Sequence, residues 1–371
     1  MINTNEFVKH LATKISFAAG VPDSLLKDFN TCLMETLPEG AFHTTANEGS
    51  AIALAAGYYL ATGNPGLVYM QNSGIGNAIN PLLSLNDSMV YGIPVLLFIG
   101  WRGEPGVKDE PQHVKQGLVT KELLESCGIK YWILGETTES AAETFDRAID
   151  YMQKNSAPAA IIVRKGAFDG VSAKYSNAYS LKREDAIAAV LDCLDEKCHI
   201  ISTTGMISRE LFERRELRGE SHGRDFLTVG SMGHASQIAL GVALQKPDKK
   251  IVCFDGDGAM LMHMGGAATI GASGVENFLH IMFNNEAHDS VGGQPTIMGG
   301  IDILKAAEAF GYDKVSQAYD TDGIRRAVSG FISGRCFLEI KVAQGARKDL
   351  GRPSQTPAKS KAEFMERLGQ A

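Results

Sequence analysis

The chain has no C-x-x-C pair among its six cysteines, Cys32, Cys127, Cys193, Cys198, Cys253 and Cys336. That excludes the usual ligand spacing of zinc ribbons and iron–sulfur clusters. Cysteines scattered this way fit a reducing compartment, so the expected location is the cytoplasm. No apolar run approaches the roughly 20 residues that span a bilayer. The opening MINTNEFVKHLATKISFAAG lacks the unbroken apolar core of a signal peptide, so no membrane partner is expected. Basic runs with interleaved aromatics are missing as well, and the net charge is -7 at pH 7, which argues against a nucleic-acid partner. A small anionic substrate remains compatible with that charge, because net charge governs long-range steering rather than pocket chemistry.

What the chain does have is ordinary globular composition, with 44% hydrophobic and 21% charged residues, and a length of 371 that fits two domains. Short apolar runs bounded by glycine, proline or polar residues read as buried strands: Leu67–Met70, Val95–Ile99, Ala160–Val163, Ile200–Ser202, Ile251–Phe254, Leu279–Phe283 and Phe337–Val342. Helical stretches alternate with them, at Glu48–Leu60, Ser140–Gln153, Arg183–Leu194, Ala235–Leu244 and Gly323–Ser333. Alternation of this kind predicts an α/β fold of two doubly wound, mostly parallel sheets. The polar stretch Ala167–Lys182, poor in large aliphatics, reads as a connection. The expected division is a first domain over 1–170, a linker over 171–182 and a second domain over 183–371, whose tail from Gln344 is an extended arm plus a short helix.

The densest chemical signal lies between Ile251 and Gln294. An apolar strand runs into Gly256-Asp257-Gly258, a helix-like segment follows, and a second strand ends at Asn284-Asn285-Glu286-Ala287. A strand–helix–strand unit of about 30 residues brings both loops to the carboxyl edge of one sheet, where open α/β sheets bind ligands. A diphosphate there calls for Mg²⁺, which takes hard oxygen ligands in near-octahedral geometry. Asp257 (carboxylate), Asn285 (amide oxygen) and Ala287 (backbone carbonyl) supply three, and Gly256 and Gly258 allow close backbone approach. Alone, G-D-G is as readily an ordinary tight turn; with N-N after the next strand the pattern is far more specific.

This pattern resembles the thiamine diphosphate-binding signature. The resemblance implies thiamine diphosphate and Mg²⁺ as cofactors, a pyrimidine-binding first domain and a diphosphate-binding second domain. At this length it leaves no room for the central third domain of larger members. It also implies a carboxylate from the other domain that hydrogen-bonds the aminopyrimidine ring and so promotes loss of the thiazolium C2 proton. Glu48 in Thr45-Ala46-Asn47-Glu48-Gly49 is that candidate, although a carboxylate at a helix start is often only a favourable dipole partner. Gly230-Ser231-Met232-Gly233-His234 resembles the loop that supports the bent cofactor. It implies an acceptor carbonyl at Gly230, an apolar wedge at Met232, and Gly233 and His234 near the diphosphate, with Gly205 joining them. In this family the cofactor lies between subunits, so a homo-oligomer of at least two chains is expected.

Within the family, GVPDSLL, TANEG, QNSGIGN, RGEPGVKDEPQH, TTGMISRELFE and NNEAHDSVGGQPT resemble the branch of phosphonopyruvate and sulfopyruvate decarboxylases. The resemblance implies decarboxylation of a small anionic 2-oxo acid. Sulfopyruvate decarboxylases are commonly split into two subunits, so the fused chain favours phosphonopyruvate. Such substrates require local cations. Arg102 and His113 are the expected contact and proton donor, with Asp23, Ser24 and His288 as further substrate contacts; Lys108 and Lys115 read as solvated surface charges, and the tail arginines Arg347 and Arg352 are not located by the sequence. Other classes fit the sequence less well. A dinucleotide-dependent dehydrogenase fails because Gly74-Ile75-Gly76-Asn77-Ala78-Ile79 has Ile79 where the third glycine belongs. A non-catalytic binding protein has no need of Glu48, Asp257 and Asn285 together.

Overall fold

The computed structural model describes residues 1–171, 175–195, 197–331 and 333–369. The chain divides into two compact units, Met1–Lys174 and Tyr175–Ala371. The first carries strands β1 (Ala18–Gly20), β2 (Phe42–Thr44), β3 (Gly66–Gln71), β4 (Val95–Gly100), β5 (Lys130–Ile133) and β6 (Ala159–Val163). The second carries β7 (Cys198–Ser202), β8 (Asp225–Leu227), β9 (Lys250–Gly256), β10 (Asn277–Asn284), β11 (Lys314–Ala318) and β12 (Gly334–Lys341).

Every pairing in both sheets is parallel. The strand orders are β2-β1-β3-β4-β6-β5 and β8-β7-β9-β10-β12-β11. Counted within its own unit, the second order is the same as the first, so the halves share one topology although no internal repeat is visible in the sequence. In each unit the chain reverses direction across the sheet beside its first strand, between β1 and β3 and between β7 and β9. That crevice is where open parallel sheets take ligands.

Alternate residues of each central strand feed opposite faces. Leu67, Tyr69, Leu96, Phe98 and Ile161 enter one apolar cluster, while Val68, Met70, Leu97, Ile99 and Ile162 enter the other. The second unit repeats this with Val252, Phe254, Ile281 and Phe283 on one face and Ile251, Cys253, Phe278 and Met282 on the other. Burial on both faces explains why these strands read as continuous apolar runs.

Beyond the seven apolar runs the sheets hold five further strands: β1 (AAG), β2 (FHT), β5 (KYWI), β8 (DFL) and β11 (KVSQA). Four of them are edge strands, and all are too short or too polar to show a periodicity. The helix expected at Gly323–Ser333 spans Thr321–Ser329, because the Asp320 side chain caps its start by accepting from Gly323 N at 2.7 Å.

The expected linker 171–182 is in part bound structure. Val171 N donates to Asp28 in the first unit. On the other side, Asn177 Nδ2 donates to the Asn285 and Val342 carbonyls (2.9 and 3.0 Å), and Tyr179 donates to Glu286 at 2.7 Å. Polar hydrogen bonds hold the stretch in place of the aliphatics it lacks; Ser172, Ala173 and Lys174 lie outside the described residues. No helix among the described residues is long and apolar enough to cross a membrane.

Candidate active site

In the first unit, β2 leads into the helix Glu48–Thr62, whose N-cap Asn47 accepts from Ser50 N at 2.9 Å. The cap makes Glu48 the first helical residue and turns its side chain inward, where it is 4% exposed. Asn77 Nδ2 donates to Glu48 Oε2 at 2.7 Å. Gly74 lies flat on the same carboxyl: a Cβ there would stand 2.3 Å from Oε1. Burial raises the Glu48 pKa above the usual carboxylate range against the opposing Asn77 bond. A carboxyl so placed holds its proton more readily than a free one.

The loop after β4 carries the cations. Arg102 forks onto Asp109 through Nε and Nη2 (2.8 and 2.5 Å), and its Nη1 donates to Ser24 Oγ at 2.8 Å. His113 Nδ1 meets the same Asp109 at 2.8 Å. Burial works against the Asp109 charge, but the Arg102 and His113 bonds hold its pKa well below the usual range. Asn72 grips the Arg102 backbone at both ends, accepting from its N–H and donating to its carbonyl (3.1 and 2.8 Å). Asp23 is fully buried beneath this group, with Gln71 Nε2 donating at 2.7 Å and Leu25 N at 3.1 Å. Of the expected Asp23–Ser24 pair, then, Ser24 is the member that reaches Arg102. Lys108 and Lys115 are exposed.

In the second unit four loops meet at the carboxyl edge. Asp257 starts the short helix Asp257–Met262 after β9 and is 3% exposed. Thr296 Oγ1 donates to its Oδ2 at 2.5 Å, and burial raises its pKa to about 7. Gly258 brings the next loops against it: a Cβ there would lie 2.9 Å from His288 Cε1 and 3.3 Å from Met232 Cε. Around it, a Cβ on Gly233 would meet His263 at 2.7 Å, on Gly256 it would meet Ile207 at 3.3 Å, and on Gly205, at φ 96°, it would come within 3.8 Å of Ser290. Gly230 is half-buried. His234 is exposed and lies against His263, ring centroids 4.3 Å apart. Burial lowers the His288 pKa to about 4, so its imidazole is neutral at pH 7.

Asn285 is 3% exposed; its Nδ2 donates to Asp289 at 2.6 Å, and its Oδ1 accepts from Ala287 N at 3.2 Å. Asp289 in turn is held by Arg183 Nη1 at 2.9 Å, and Arg183 is forked onto Glu210. The bridge between Ala287 and Pro295 is made by Thr296 N to the Glu286 carbonyl and His288 N to the Gln294 carbonyl, so the ladder does not use the Ala287 carbonyl. A buried carboxyl, an amide oxygen and this carbonyl are a hard donor set that a divalent cation fits. Two further features at this edge fit an incoming polar group. Thr203 Oγ1, just past β7, and both amide atoms of Gln294 are buried without a hydrogen-bond partner.

Several contributors went unnoticed in the sequence: Asn77, Asp109, Thr296, and the Arg183–Glu210–Asp289 relay. Asp109 and Thr296 lie inside the strings RGEPGVKDEPQH and NNEAHDSVGGQPT, which was the available signal. The relay spans more than a hundred positions; Glu210 and Asp289 lie inside TTGMISRELFE and NNEAHDSVGGQPT, and Arg183 lies outside every such string. In the tail, Arg347 is bonded to Glu184 and Glu213 on the second unit's own helices.

Residues 6–124 match the thiamine pyrophosphate enzyme N-terminal TPP-binding domain family, and residues 204–340 its C-terminal TPP-binding domain family. Among curated relatives, a phosphonopyruvate decarboxylase of Streptomyces viridochromogenes is 33% identical over 94% of this chain and 90% of its own length. The Streptomyces hygroscopicus phosphonopyruvate decarboxylase is 32% identical over 95% of this chain and 90% of its own length. A sulfopyruvate decarboxylase of Methanosarcina acetivorans is 28% identical over 96% of this chain and 95% of its own length. That last protein matches along nearly the whole length of both chains, so a chain carrying both domains does not by itself favour phosphonopyruvate over sulfopyruvate. The two matched domains and the end-to-end relatives place this chain in the thiamine diphosphate-dependent decarboxylase family.

Proposed function

We propose that this protein decarboxylates 3-phosphonopyruvate to phosphonoacetaldehyde and carbon dioxide, using thiamine diphosphate held through Mg²⁺. The observation that carries the cofactor reading is the Asp257, Asn285 and Ala287 donor set, with the unpartnered Thr203 and Gln294 beside it. Bound thiamine diphosphate supplies a carbon nucleophile and an electron sink for the departing carboxylate. Asp257, Asn285 and the Ala287 carbonyl hold the Mg²⁺, and Thr296 and Asp289 orient the first two. Gly205, Gly230, Met232, Gly233, His234, Gly256 and Gly258 cradle the cofactor. Glu48, whose proton affinity burial raises, would move a proton to and from the aminopyrimidine nitrogen. Arg102 receives the phosphonate as a bidentate guanidinium, with Ser24 beside it and His113 as proton donor. Asp23 sets the loop from beneath, and His288, neutral at pH 7, is a polar contact for substrate. The working form is a cytoplasmic homo-oligomer with sites shared between chains.

A second reading, sulfopyruvate, is favoured by the full-length Methanosarcina relative. A guanidinium fork accepts a sulfonate as readily as a phosphonate. Carbon dioxide release from phosphonopyruvate, sulfopyruvate and pyruvate, with and without thiamine diphosphate plus Mg²⁺, decides between them. Cofactor-dependent release fastest with phosphonopyruvate is expected. Release fastest with sulfopyruvate transfers the mechanism to that acid, and no release from any overturns the reading.

The Asp109 network makes a separate prediction. Asp109→Asn keeps the shape but releases Arg102 and His113 from a charged partner, a loss typical of a hydrogen bond to an ion, about 1.5–3 kcal/mol. KM for the oxo acid is expected to rise about tenfold or more, with thiamine diphosphate affinity unchanged. Steady-state kinetics with a cofactor titration checks it; an unchanged KM removes Arg102 from substrate binding.

A further inference from the structure

The second sheet has another charged edge, at the amino ends of its strands. Parallel pairing puts the start of β7 beside the start of β9, with His199 opposite Ile251. This is the edge opposite the loops that carry Asp257 and Asn285. Two other segments reach it. The single turn His222–Arg224 brings Arg224 with Ser221 as its cap, and the helix Pro357–Arg367 brings Arg367 in its last turn. Together His199, Ser221, Arg224, Lys249 and Arg367 line a cleft of about 300 Å³.

Among the described residues the lining holds three permanent cations and no carboxylate. Lys249 meets Asp248 at 3.3 Å, but Asp248 stands outside the cleft and is largely exposed. Among the described residues the Arg224 guanidinium reaches the Asp195 backbone carbonyl, at 3.3 Å, and no carboxylate. Arg367 makes no ion pair among the described residues. Like charges gathered in one concavity repel unless an anion sits among them, and such concavities concentrate anions.

A buried histidine joins the two sides of the cleft. His199 is 3% exposed, its Nδ1 lies 3.2 Å from the Lys197 carbonyl, and its ring meets Phe364 edge-on. The ring also lies within hydrogen-bonding reach of the Arg367 backbone carbonyl. Burial, with Lys249 and Arg224 adding to it, holds this histidine below its ordinary pKa. The wall of the cleft is therefore positive, and the histidine already ties the start of β7 to the carboxyl-terminal helix.

We propose that this cleft binds a small tetrahedral oxyanion of the phosphate or phosphonate class, separately from the cofactor edge. The ligand bridges Lys249 and Arg224 on the sheet side to Arg367 on the carboxyl-terminal helix. It thereby fastens that helix to the start of β7. The proposal does not depend on which oxo acid the enzyme decarboxylates.

The test uses the full chain saturated with thiamine diphosphate and Mg²⁺, so that added phosphate cannot occupy the diphosphate loops. Inorganic phosphate is titrated at constant ionic strength by calorimetry, in parallel with thermal melting and hydrogen exchange of the carboxyl-terminal helix. Saturable binding, a higher melting temperature and slower exchange in residues 357–367 are expected. Affinity should fall at least tenfold in Arg367→Ala and in Lys249→Ala and stay unchanged in Lys305→Ala, a surface lysine paired with Asp302. Lys249 lies on the turn before β9, so its variant keeps the test valid if Arg367→Ala loosens the helix. Methylphosphonate binding as tightly as phosphate identifies a phosphonate-bearing ligand as a source; binding of phosphate alone identifies the free ion. Absence of saturation, or equal affinity in both cleft variants and wild type, overturns the proposal.

Discussion

Glu48→Gln is expected to lower kcat by about 100-fold or more, the range of a lost acid–base group, while thiamine diphosphate binds with near wild-type affinity. Glutamine matches the shape of Glu48 and keeps a partner for Asn77, so packing beneath Gly74 survives. What it cannot do is take up and return a proton. The stability change separates this from general damage. The fold raises the Glu48 pKa through burial, so it favours the protonated carboxyl, and ionisation at higher pH works against the folded state. Removing that charge should leave the melting temperature of the cofactor-free protein equal or higher at pH 8. Turnover within tenfold of wild type would take Glu48 out of the chemistry. A lower melting temperature with lost cofactor binding would make it structural.

Asp257→Asn is expected to weaken Mg²⁺-dependent thiamine diphosphate binding by about 100-fold or more, beyond what is usual for a residue that only supports a ligand. Turnover at ordinary cofactor concentrations should vanish. Thr296 retains an oxygen to donate to, so the loop is conserved. Here too the sign of the stability effect is informative. Burial raises the Asp257 pKa to about 7. Without a cation, ionisation therefore costs the fold progressively as pH rises from the ordinary carboxylate range to about 7, and the cost is constant above that. It amounts to a few kcal/mol in order of magnitude. The cofactor-free variant should melt higher than wild type at pH 8, and the difference should shrink as pH falls below 7. Added Mg²⁺ and thiamine diphosphate should stabilise wild type and not the variant. Equal cofactor affinity in the two proteins would remove Asp257 from the metal site. Mixed oligomers of Glu48→Gln and Asp257→Asn chains should regain part of the activity if sites are shared between chains.

Much of this molecule was legible in its sequence. Strands buried on both faces announce themselves as apolar runs, so Leu67–Met70, Val95–Ile99, Ile251–Phe254 and Leu279–Phe283 fall inside observed strands. Asp257 and Asn285 were legible because glycine and asparagine mark the points where such strands end, and a strand–helix–strand unit returns both ends to one edge. Glu48 was legible as a carboxylate at the start of a helix of small residues, and its candidate role came from the resemblance. The edge strands β5, β8 and β11 were not, since edge positions make few burial demands on their side chains.

Tertiary structure alone decided which polar groups serve each other. Gly74 reads as a dinucleotide-motif glycine in sequence, yet its missing side chain is the space that the Glu48 carboxyl fills. Asp23 and Ser24 are neighbours in the chain, but one is sealed beneath the loop and the other touches Arg102. Arg183, at the end of an expected linker, fixes Asn285 through Asp289 across more than a hundred positions. Periodicity and turn chemistry are local, so a single chain displays them directly. Desolvation and hydrogen-bond partnership depend on which distant residues the sheet order brings together, and that pairing exists only in the folded protein.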